Sequence, residues 1–292
     1  MTGPEPSQAP VVTIVVSCYN HAAYIETCIS SILNQNYPAI ELLTYDDGSS
    51  DDSVAILQRL SDQHGFSFTA QKNRGLSATL NHALNQARGK YFCPIGSDDI
   101  LMLDKTTKQA AYMEANSDVA VCASNALLID TNGLLINKRS RFHPARDLSF
   151  EELFTASTPG FISPTAMIRT ETLRAVGGYR SDIPLEDLYL WLKLSFAGHR
   201  LHAINDITLY YRKHDTNTYK NTAFMLDSVS RTLSEYCEHP LYHRVMGGEL
   251  NSLLLTAAKQ KDRQTALTAL KRLKLSQYSS KTLRAILRLA LP

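Results

Sequence analysis

The sequence predicts an α/β fold built on a doubly wound, mainly parallel sheet, with a smaller antiparallel part and a helical C-terminal extension. Two observations lead to this fold class. Short β-branched runs of strand length alternate with amphipathic helical segments through the first hundred residues, which is the rhythm of parallel strands joined by crossover helices. Farther along, two apolar runs flank the turn Thr131-Asn-Gly133, and parallel units do not need such a hairpin.

Four strands and three helices are predicted in order along the first part of the chain. The continuous apolar run at 11–17 indicates a strand buried on both faces. Apolar residues at helical spacing mark the helices, and the polar run from Ser49 to Ser53 is a strong N-terminal cap signal for the second of them. The predicted elements are strand 11–17, helix 21–35, strand 40–45, helix 54–60, strand 66–70, helix 75–86 and strand 91–95.

The next part of the chain changes to a mixed pattern. It is predicted to contain the hairpin at 119–137, a strand at 162–169, a helix ending near Gly177, a helix at 185–196 and a last strand at 207–211. From about residue 223 onward the pattern is helical, with no strand signals. The expected units are a disordered lead-in at 1–10, an α/β domain at 11–222 with halves at about 11–104 and 105–222, and a helical region at 223–292.

The composition is that of a soluble globular protein. Of 292 residues, 44% are hydrophobic and 20% are charged, which is enough apolar material for a large core. Five cysteines, an odd number without CxxC spacing, argue against a disulfide framework and a zinc site, and favour a reducing cytoplasm. The N-terminus lacks the basic and apolar regions of a signal peptide, and no apolar run approaches the ~18 residues of a membrane span. A cytoplasmic location is therefore expected.

The charge of the chain is unevenly distributed. The net charge is +2, but residues 259–292 carry nine Lys and Arg against one acid, which leaves the rest at −6. The last predicted helix has an apolar face and a basic face, formed by Leu283, Ile286, Leu287 and Ala290 and by Lys281, Arg284 and Arg288. Such a helix suits the surface of an anionic membrane, and equally its apolar face could pack on the α/β domain or on a second subunit. Nucleic acid is disfavoured because the body is acidic and no aromatic residues alternate with basic ones.

Two pairs of adjacent carboxylates, Asp46-Asp47 and Asp98-Asp99, follow predicted strands. Ligands of doubly wound sheets bind outside the carboxyl ends of the strands, where both pairs are expected to lie. Because adjacent like charges repel, Asp98-Asp99 indicates either a bound cation or a solvated loop. A phosphoacceptor signalling domain also holds Mg²⁺ at such a pair, but it needs only about 120 residues and no hairpin insertion.

Four segments resemble family 2 of the glycosyltransferases, enzymes with the GT-A fold. They are VVTIVVSCYNHAAYIETCISSILNQ, ELLTYDDGSSDDS, NRGLSATLNHALNQARGKYFCPIGSDD and LEDLYLWLKLSFAGHR, with looser matches at VGGYR and YYRKHDTNTY. The matches keep the family's order across roughly residues 11–220. The sequence lacks the Gln-x-x-Arg-Trp pattern of the processive relatives, so we expect one sugar to be transferred per encounter.

The resemblance implies transfer of a sugar from a nucleotide-diphosphate sugar, expected to be UDP-linked, to a glycan or lipid-linked acceptor with inversion. It also implies a divalent ion, Mn²⁺ or Mg²⁺, which stabilises the charge that develops on the leaving diphosphate. Family habits indicate bacterial surface polysaccharide synthesis, such as O-antigen or capsule, at the inner face of the cell membrane. The alternative is a protein that binds a nucleotide sugar without turning it over.

The donor site can be assigned residue by residue from the same resemblance. Asp99 is the expected direct metal ligand, while Asp98 is expected at the ribose or just behind the ligands. Asp47 would accept a hydrogen bond from the base, whereas Asp46 is expected to cap the following turn. The remaining donor-side residues are Ser17 and Tyr19, which would line the base pocket, and Arg74, which would approach the nucleotide or remain solvated.

The acceptor side carries two further assignments. Asp187 matches the family's catalytic carboxylate and would act as general base, a role typically worth ~10²–10⁴-fold in rate. His214 is the expected second metal or diphosphate ligand, with Arg212 and Lys213 as alternatives. The other eight histidines show no pairing in the sequence that indicates a site.

Overall fold

A mixed nine-stranded sheet runs through the residues that the computed structural model describes, which are 9–136, 142–215 and 217–290. Its strands are β1 (Val12–Cys18), β2 (Ile40–Asp46), β3 (Ser67–Ala70), β4 (Tyr91–Gly96), β5 (Ile100–Leu101), β6 (Val119–Ile129), β7 (Arg146–Leu148), β8 (Met167–Arg169) and β9 (Arg200–Arg212). Their order across the sheet is β3-β2-β1-β4-β8-β6-β9-β5, and β7 pairs with β9 beside β5.

The parallel part of the sheet brings the ends of three strands to one edge. Strand β1 lies between β2 and β4 and is parallel to both. In this register Ser17 is level with Tyr45 on one side and with Gly96 on the other. Strands β4, β8 and β6 pair antiparallel, and β6 and β9 are again parallel. The predicted fold class is therefore confirmed.

Eleven α-helices are described around and beyond this sheet. They are α1 (Ile25–Leu33), α2 (Ser53–His64), α3 (Leu76–Gln86), α4 (Lys105–Ala115), α5 (Phe150–Phe154), α6 (Thr170–Ala175), α7 (Glu186–Phe196), α8 (Thr222–Ser234), α9 (Tyr242–Lys259), α10 (Arg263–Arg272) and α11 (Ser280–Ala290). None of the described helices combines the length and the apolar character that crossing a membrane requires.

The helices cover both faces of the sheet. One apolar cluster packs α1, α2 and α4 against one face, and a second packs α3, α5, α6 and α7 against the other. Alternate residues of β1 enter the two clusters: Ile14 and Val16 face the first, and Val15 faces the second. A third cluster joins α8 to α11 through residues such as Leu226, Leu254 and Ala266. These packed layers hold the strand ends rigidly.

Several predicted elements differ from the structure in their bounds. The strand expected at 162–169 is only β8, because residues 163–165 form a 3₁₀ turn that contains Pro164, which has no N–H to donate. The last strand is longer than the expected 207–211, and the first helix begins at Ile25 instead of residue 21. The predicted turn is present: Gly133 has a φ of 82°, and its N–H donates to the Asp130 carbonyl. Among the described residues up to 136, the segments on the two sides of this turn share one isolated antiparallel bridge, Ile129–Leu135. The predicted end of the hairpin, residue 137, lies outside the described residues.

Candidate functional site

The loop after β4 holds two buried carboxylates in different surroundings. Oδ1 of Asp99 accepts a hydrogen bond from the backbone N–H of Arg212 at 3.0 Å, whereas the buried Oδ2 of Asp99 has no hydrogen-bond partner among the described residues. Burial, together with the neighbouring charge of Asp98, raises the pKa of Asp99 well above its usual range. The loop fits here because Gly96 has no side chain: a Cβ would lie 2.7 Å from Asp99 Oδ2 and 2.9 Å from Asp98 Oδ1.

Two histidines converge on Asp98. The Nε2–H of His214 donates to Asp98 Oδ2 at 2.8 Å, and both side chains are almost fully buried. The rings of His21 and His214 meet edge to face with centroids 5.5 Å apart. Nδ1 of His21 is hydrogen-bonded to the Ser97 hydroxyl at 2.7 Å, which fixes the orientation of the ring. Burial lowers the pKa of His21, so its neutral form is favoured.

Arg212 ties this cluster to the end of β9. Its Nε–H donates to the Asp98 carbonyl at 2.8 Å, and one terminal nitrogen donates to the carbonyls of Asp130 and Thr131. The guanidinium also lies 4.7 Å from the ring centroid of Tyr24, a cation–π distance. Arg212 therefore orders the acidic loop through the Asp98 carbonyl, and within the described part of the chain Asp99 Oδ2 stays without a partner.

The donor set of this cluster suits a divalent cation. One ligand-capable atom from each of His21, Asp98 and His214 lies within 4.8 Å of the others. Asp99 Oδ2 adds a buried oxygen that lacks a partner in the described part of the chain. Carboxylate oxygens suit both Mg²⁺ and Mn²⁺, whereas imidazole nitrogens favour transition metals. The residues thus fit a metal ion, although this three-residue group contains Asp98 where the sequence assigned the direct contact to Asp99.

The loop after β2 uses its carboxylates differently. Oδ1 of Asp46 accepts hydrogen bonds from the N–H groups of Gly48 and Ser49, and its Oδ2 accepts one from the Ser49 hydroxyl at 2.6 Å. Asp46 is fully buried and caps this turn, as the sequence predicts. Asp47 accepts hydrogen bonds from the Gln71 amide and from the backbone N–H groups of Arg74 and Gly75 at 2.9–3.0 Å. Asp47 thereby joins the ends of β2 and β3 to the start of α3.

The other predicted donor-side residues surround this edge of the sheet. Ser17 is half-buried between the ends of β2 and β4, and Tyr19 is 52% exposed. Asn20, with a φ of 56°, turns the chain away from β1, and its side-chain oxygen accepts a hydrogen bond from the Ser50 N–H at 2.8 Å. The side chain of Arg74 is exposed, so the structure orders only its backbone. The contacts of these residues with a nucleotide stay predictions.

A third acidic pair, Glu186 and Asp187, forms the start of α7. Both side chains are half-buried, and Asp187 Oδ1 accepts the Leu188 N–H at 2.6 Å. Burial, followed by the charge of Asp187, raises the pKa of Glu186 to about 8, and burial also raises the pKa of Asp187. A carboxylate whose pKa is raised is a better proton acceptor than a solvated one.

Two tyrosines connect this pair to its surroundings. The hydroxyl of Tyr179 is buried without a partner among the described residues, and burial together with Glu186 and Asp187 raises its pKa. Tyr211 is half-buried, and its pKa is raised by burial and then by the charges of Asp99, Asp98 and, more weakly, Asp187. The charges of both acidic groups therefore act on Tyr211.

Two members of the site, His21 and Arg212, differ from the roles that the sequence predicted for them. It was wrong that the other eight histidines show no grouping, because His21 belongs to the cluster with Asp98 and His214. The available signal was its position: His21 follows the end of β1, the strand between the two acidic loops. Arg212 was named only as an alternative ligand, and its contact with the Asp98 carbonyl could not be read from spacing.

The comparison with protein families identifies the chain. The sequence profile described as "Glycosyl transferase family 2" matches residues 13–177, more than half of the chain. The chain belongs to glycosyl transferase family 2. This glycosyltransferase is similar to two proteins of Bacillus subtilis (strain 168) that carry provisional names. EpsE, named a glycosyltransferase, is 28% identical over 75% of this chain and 78% of its own. TuaG, named a teichuronic acid biosynthesis glycosyltransferase, is 26% identical over 70% of this chain and 79% of its own.

Solved structures share the fold of this enzyme. S. aureus TarS 1–349 in complex with UDP-GlcNAc superimposes with a TM-score of 0.57 at 18% identity, covering 89% of each chain. The mannosyltransferase PcManGT from Pyrobaculum calidifontis, in complex with GDP-Man and Mn²⁺, superimposes with a TM-score of 0.61 at 19% identity, covering 99% of this chain and 87% of that one. Both are nucleotide-sugar complexes, and at these identities the likeness concerns the fold.

Proposed function

We propose that this glycosyltransferase moves one sugar from a UDP-linked donor to a glycan or lipid-linked acceptor, with inversion and with the help of a divalent ion. The observation that carries the proposal is the group of His21, Asp98 and His214, whose ligand-capable atoms lie within 4.8 Å of one another, together with the buried Asp99 oxygen that has no partner among the described residues. A sugar diphosphate needs a cation at its phosphates and a base on the opposite side of the reacting carbon, and in this proposal these residues hold the cation and Asp187 is the base.

The base and ribose would be held at the ends of β1 and β2. In this proposal Asp47 accepts a hydrogen bond from the base, which its oxygens can do in addition to their three existing hydrogen bonds. The exposed ring of Tyr19 packs on the base, and Ser17 lines the pocket between the strand ends. The exposed guanidinium of Arg74 is free to approach a phosphate.

The diphosphate would be bound at the loop after β4. Asp99, Asp98, His214 and His21 are the residues that would hold a Mn²⁺ or Mg²⁺ ion there. When bound, such an ion stabilises the negative charge of the leaving diphosphate as a Lewis acid. Asp98 and His214, which are hydrogen-bonded to each other, would each offer an atom to the ion, and Arg212 holds the loop in place through the Asp98 carbonyl.

Asp187 would act as the general base. It removes the proton from the acceptor hydroxyl while that oxygen attacks the anomeric carbon, and the diphosphate leaves from the opposite face, so the configuration inverts. The helix start holds the carboxylate through the Leu188 N–H. Its raised pKa strengthens it as a proton acceptor.

We further propose a role in bacterial surface polysaccharide synthesis in the cytoplasm. The name of TuaG, which refers to teichuronic acid biosynthesis, supports the pathway class. Five free cysteines, four of them buried and none paired, are in keeping with a reducing compartment. O-antigen and capsule are the products that we would test first.

Calorimetric titration with UDP and with GDP, each with and without Mn²⁺, tests the donor site on wild type and Asp99→Ala. We expect tight UDP binding that needs both Mn²⁺ and Asp99. Tight GDP binding in place of UDP would keep the site and change the base. No binding of either nucleotide in the presence of metal would contradict the proposed donor.

Asp187→Asn separates an enzyme from a non-catalytic nucleotide-sugar binder. The variant should bind UDP with wild-type affinity while transfer falls ~10²–10⁴-fold, because the base is lost but the donor site is not. Determining the anomeric configuration of the product by NMR then tests inversion. Unchanged transfer by Asp187→Asn would exclude this residue as the base.

A further inference from the structure

The last helix, α11, is fastened to the protein by its small side chains. The amide of Asn251 on α9 donates to the carbonyls of Gly247 and Gln277, and its oxygen accepts hydrogen bonds from the hydroxyls of Ser279 and Thr282. Thr282 and Ala285 are fully buried, and Leu289 packs beside them on the α8–α11 cluster. These three positions follow the i, i+3, i+7 spacing of one helix face, so this face is the inner one.

Three of the large apolar side chains of α11 face outward. Leu283, Ile286 and Leu287 are 62%, 38% and 64% exposed. This is the face that the sequence pattern marked as apolar, and in the folded chain its two leucines stay mostly exposed while Ile286 is partly covered. Leu275, just before the helix, is also 82% exposed. Single exposed leucines are ordinary, but an ordered row of them along one helix is typical of a binding surface.

The remaining arc of α11 is basic. Arg284 and Arg288 are exposed and form no ion pair with any described residue. Lys281 donates to the Ser252 hydroxyl and interacts electrostatically with the partly buried Glu249. Residues 259–292 carry nine Lys and Arg against one acid. The net positive charge of this end therefore lies next to an apolar row.

We propose that α11 docks the enzyme on an anionic lipid bilayer, with Leu283, Ile286 and Leu287 entering the boundary between headgroups and acyl chains. Helices of this kind lie in the membrane plane, and their affinity comes from apolar burial plus attraction to anionic lipid. Arg284 and Arg288 supply that attraction, at about 1 kcal/mol for each basic residue near the surface. The inner face stays on α9, so docking requires no unfolding of the C-terminal helices.

The positive charge of this end favours an anionic bilayer over a second copy of the chain as the partner of α11. Most homodimers are two-fold symmetric, so pairing through α11 would bring two strongly basic ends of +8 each together. Like charges across an interface oppose association, whereas an anionic surface is complementary to them. The inference concerns this surface alone and is independent of the proposed donor and acceptor.

Co-sedimentation with vesicles tests the proposal. The full chain is mixed with phosphatidylcholine vesicles and with vesicles that contain phosphatidylglycerol at about a third of the lipid. We expect binding to the anionic vesicles, weak binding to the neutral ones, and a decrease as salt is raised from 0.05 to about 0.5 M, because salt screens surface charge. Sedimentation velocity without lipid should show a monomer.

Matched variants assign the binding to α11. Arg284→Gln/Arg288→Gln should weaken binding to anionic vesicles about 30-fold, as expected for two basic residues, whereas Lys271→Gln/Arg272→Gln, with the same charge loss on α10, should weaken it less. Leu283→Ser/Leu287→Ser should weaken it at least about 10-fold, and Leu33→Ser/Leu103→Ser, two exposed leucines elsewhere, should not. Thermal denaturation checks that each variant is folded.

Three results would overturn the proposal. The first is wild-type protein that fails to bind anionic vesicles at low salt. The second is equal loss of binding in the α10 variant Lys271→Gln/Arg272→Gln and the α11 variant Arg284→Gln/Arg288→Gln, which would indicate diffuse attraction. The third is a dimer in solution that Leu283→Ser/Leu287→Ser converts to a monomer, which would make this face a subunit interface.

Discussion

The loops after β2 and β4 begin with the same sequence feature, an acidic pair at the end of a parallel strand, and they differ in how the carboxylates are satisfied. Asp46 is fully buried and accepts hydrogen bonds from two backbone N–H groups and one hydroxyl. Asp99 is equally buried, but one of its oxygens has no partner in the described part of the chain and lies beside the Asp98 carboxylate.

This difference separates an acid that stabilises the fold from one that destabilises it. A buried charge costs free energy unless it is paired or hydrogen-bonded. The turn after β2 satisfies Asp46 with neutral donors, and no ligand is needed. The loop after β4 keeps Asp99 buried and only partly satisfied, which is the state that a cation would relieve. The hydrogen bonds of the two acidic pairs therefore indicate different roles, although the pairs look alike in the sequence.

The largest predicted effect is that of Asp99→Asn. The amide keeps an oxygen for the Arg212 N–H but removes the charge that would bind metal. We expect sugar transfer to fall about 10²–10³-fold, in line with the loss of one group that stabilises charge in a transition state. The melting temperature without metal should stay the same or rise, because a buried, partly unsatisfied carboxylate has been removed. Transfer assays and thermal denaturation measure the two effects.

Asp104→Asn is the control for this variant. Asp104 lies nearby in sequence and makes only a partly exposed ion pair with Lys108, so both readouts should change little. One outcome would contradict the proposed difference between the loops after β2 and β4. If Asp99→Asn lowered the melting temperature by several degrees and left transfer and Mn²⁺-dependent binding intact, Asp99 would be structural, like Asp46.

The second prediction concerns Asp46→Ala. Removing the carboxylate leaves the N–H groups of Gly48 and Ser49 without their acceptor, so the free energy of unfolding should fall by about 2 kcal/mol. UDP affinity of the folded protein should not change. Urea denaturation and calorimetry at low temperature measure these quantities.

Asp52→Ala provides the matched control for the turn. Asp52 precedes α2, is exposed and forms no side-chain cap hydrogen bond, so its loss should alter stability by less than about 0.5 kcal/mol. Asp47→Asn completes the comparison, since the proposed donor site predicts weaker UDP binding for it. Weaker UDP binding by folded Asp46→Ala would instead give Asp46 a direct part in the donor site.

Local sequence patterns were sufficient to predict which strand ends meet at the edge of the sheet. They were not sufficient to predict the group of His21, Asp98 and His214. The β-branched run of β1 and the helical spacing after it predict parallel strands, and parallel strands bring Ser17, Asp47 and Asp98 to one edge. The sequence could not show that His21 and His214, 193 positions apart, face the same carboxylate. That contact depends on how β9 crosses the sheet, which no local signal specifies.

For the C-terminal helix α11, too, the sequence predicted the apolar face but not what that face contacts. Its pattern correctly marked Leu283, Ile286 and Leu287 as one apolar face. Which face packs was decided by Asn251 on α9 and by the small residues Thr282 and Ala285, which allow a close approach. An amphipathic pattern predicts that a face will be buried against something apolar, and it does not identify the partner.

The third prediction tests the space beside Asp99 and Asp98. In Gly96→Ala a methyl group would lie 2.7 Å and 2.9 Å from their oxygens, so the carboxylates must shift. We expect Mn²⁺-dependent UDP binding to weaken about 10-fold, the lower range for disturbing the groups that support metal ligands. Gly248→Ala on α9, where nothing lies within 4 Å, should leave binding unchanged. Equal affinities for both variants would mean that the positions of these two carboxylates do not limit binding.

The smallest effect is expected at the third acidic pair. Burial raises the pKa of Glu186 from 4.5 to about 8, so between these values the folded protein holds a proton that the unfolded chain releases. Stability from this group is complete below pH 4.5 and is lost as the pH rises to about 8. Because the side chain is half-buried and coupled to Asp187, we expect the loss to be on the order of 1 kcal/mol.

Urea denaturation at pH 5, 6, 7 and 8 measures this loss, and Glu186→Gln should show a flatter profile than wild type because it has no proton to release. Asp182→Asn is the control, since Asp182 is exposed and paired with Arg180, which lowers its pKa, so it does not titrate in this interval. Parallel profiles for wild type and Glu186→Gln would mean that Glu186 is ionised in the folded protein at pH 7. In that case Glu186 would be satisfied like Asp46 and would not share the partly unsatisfied state of Asp99.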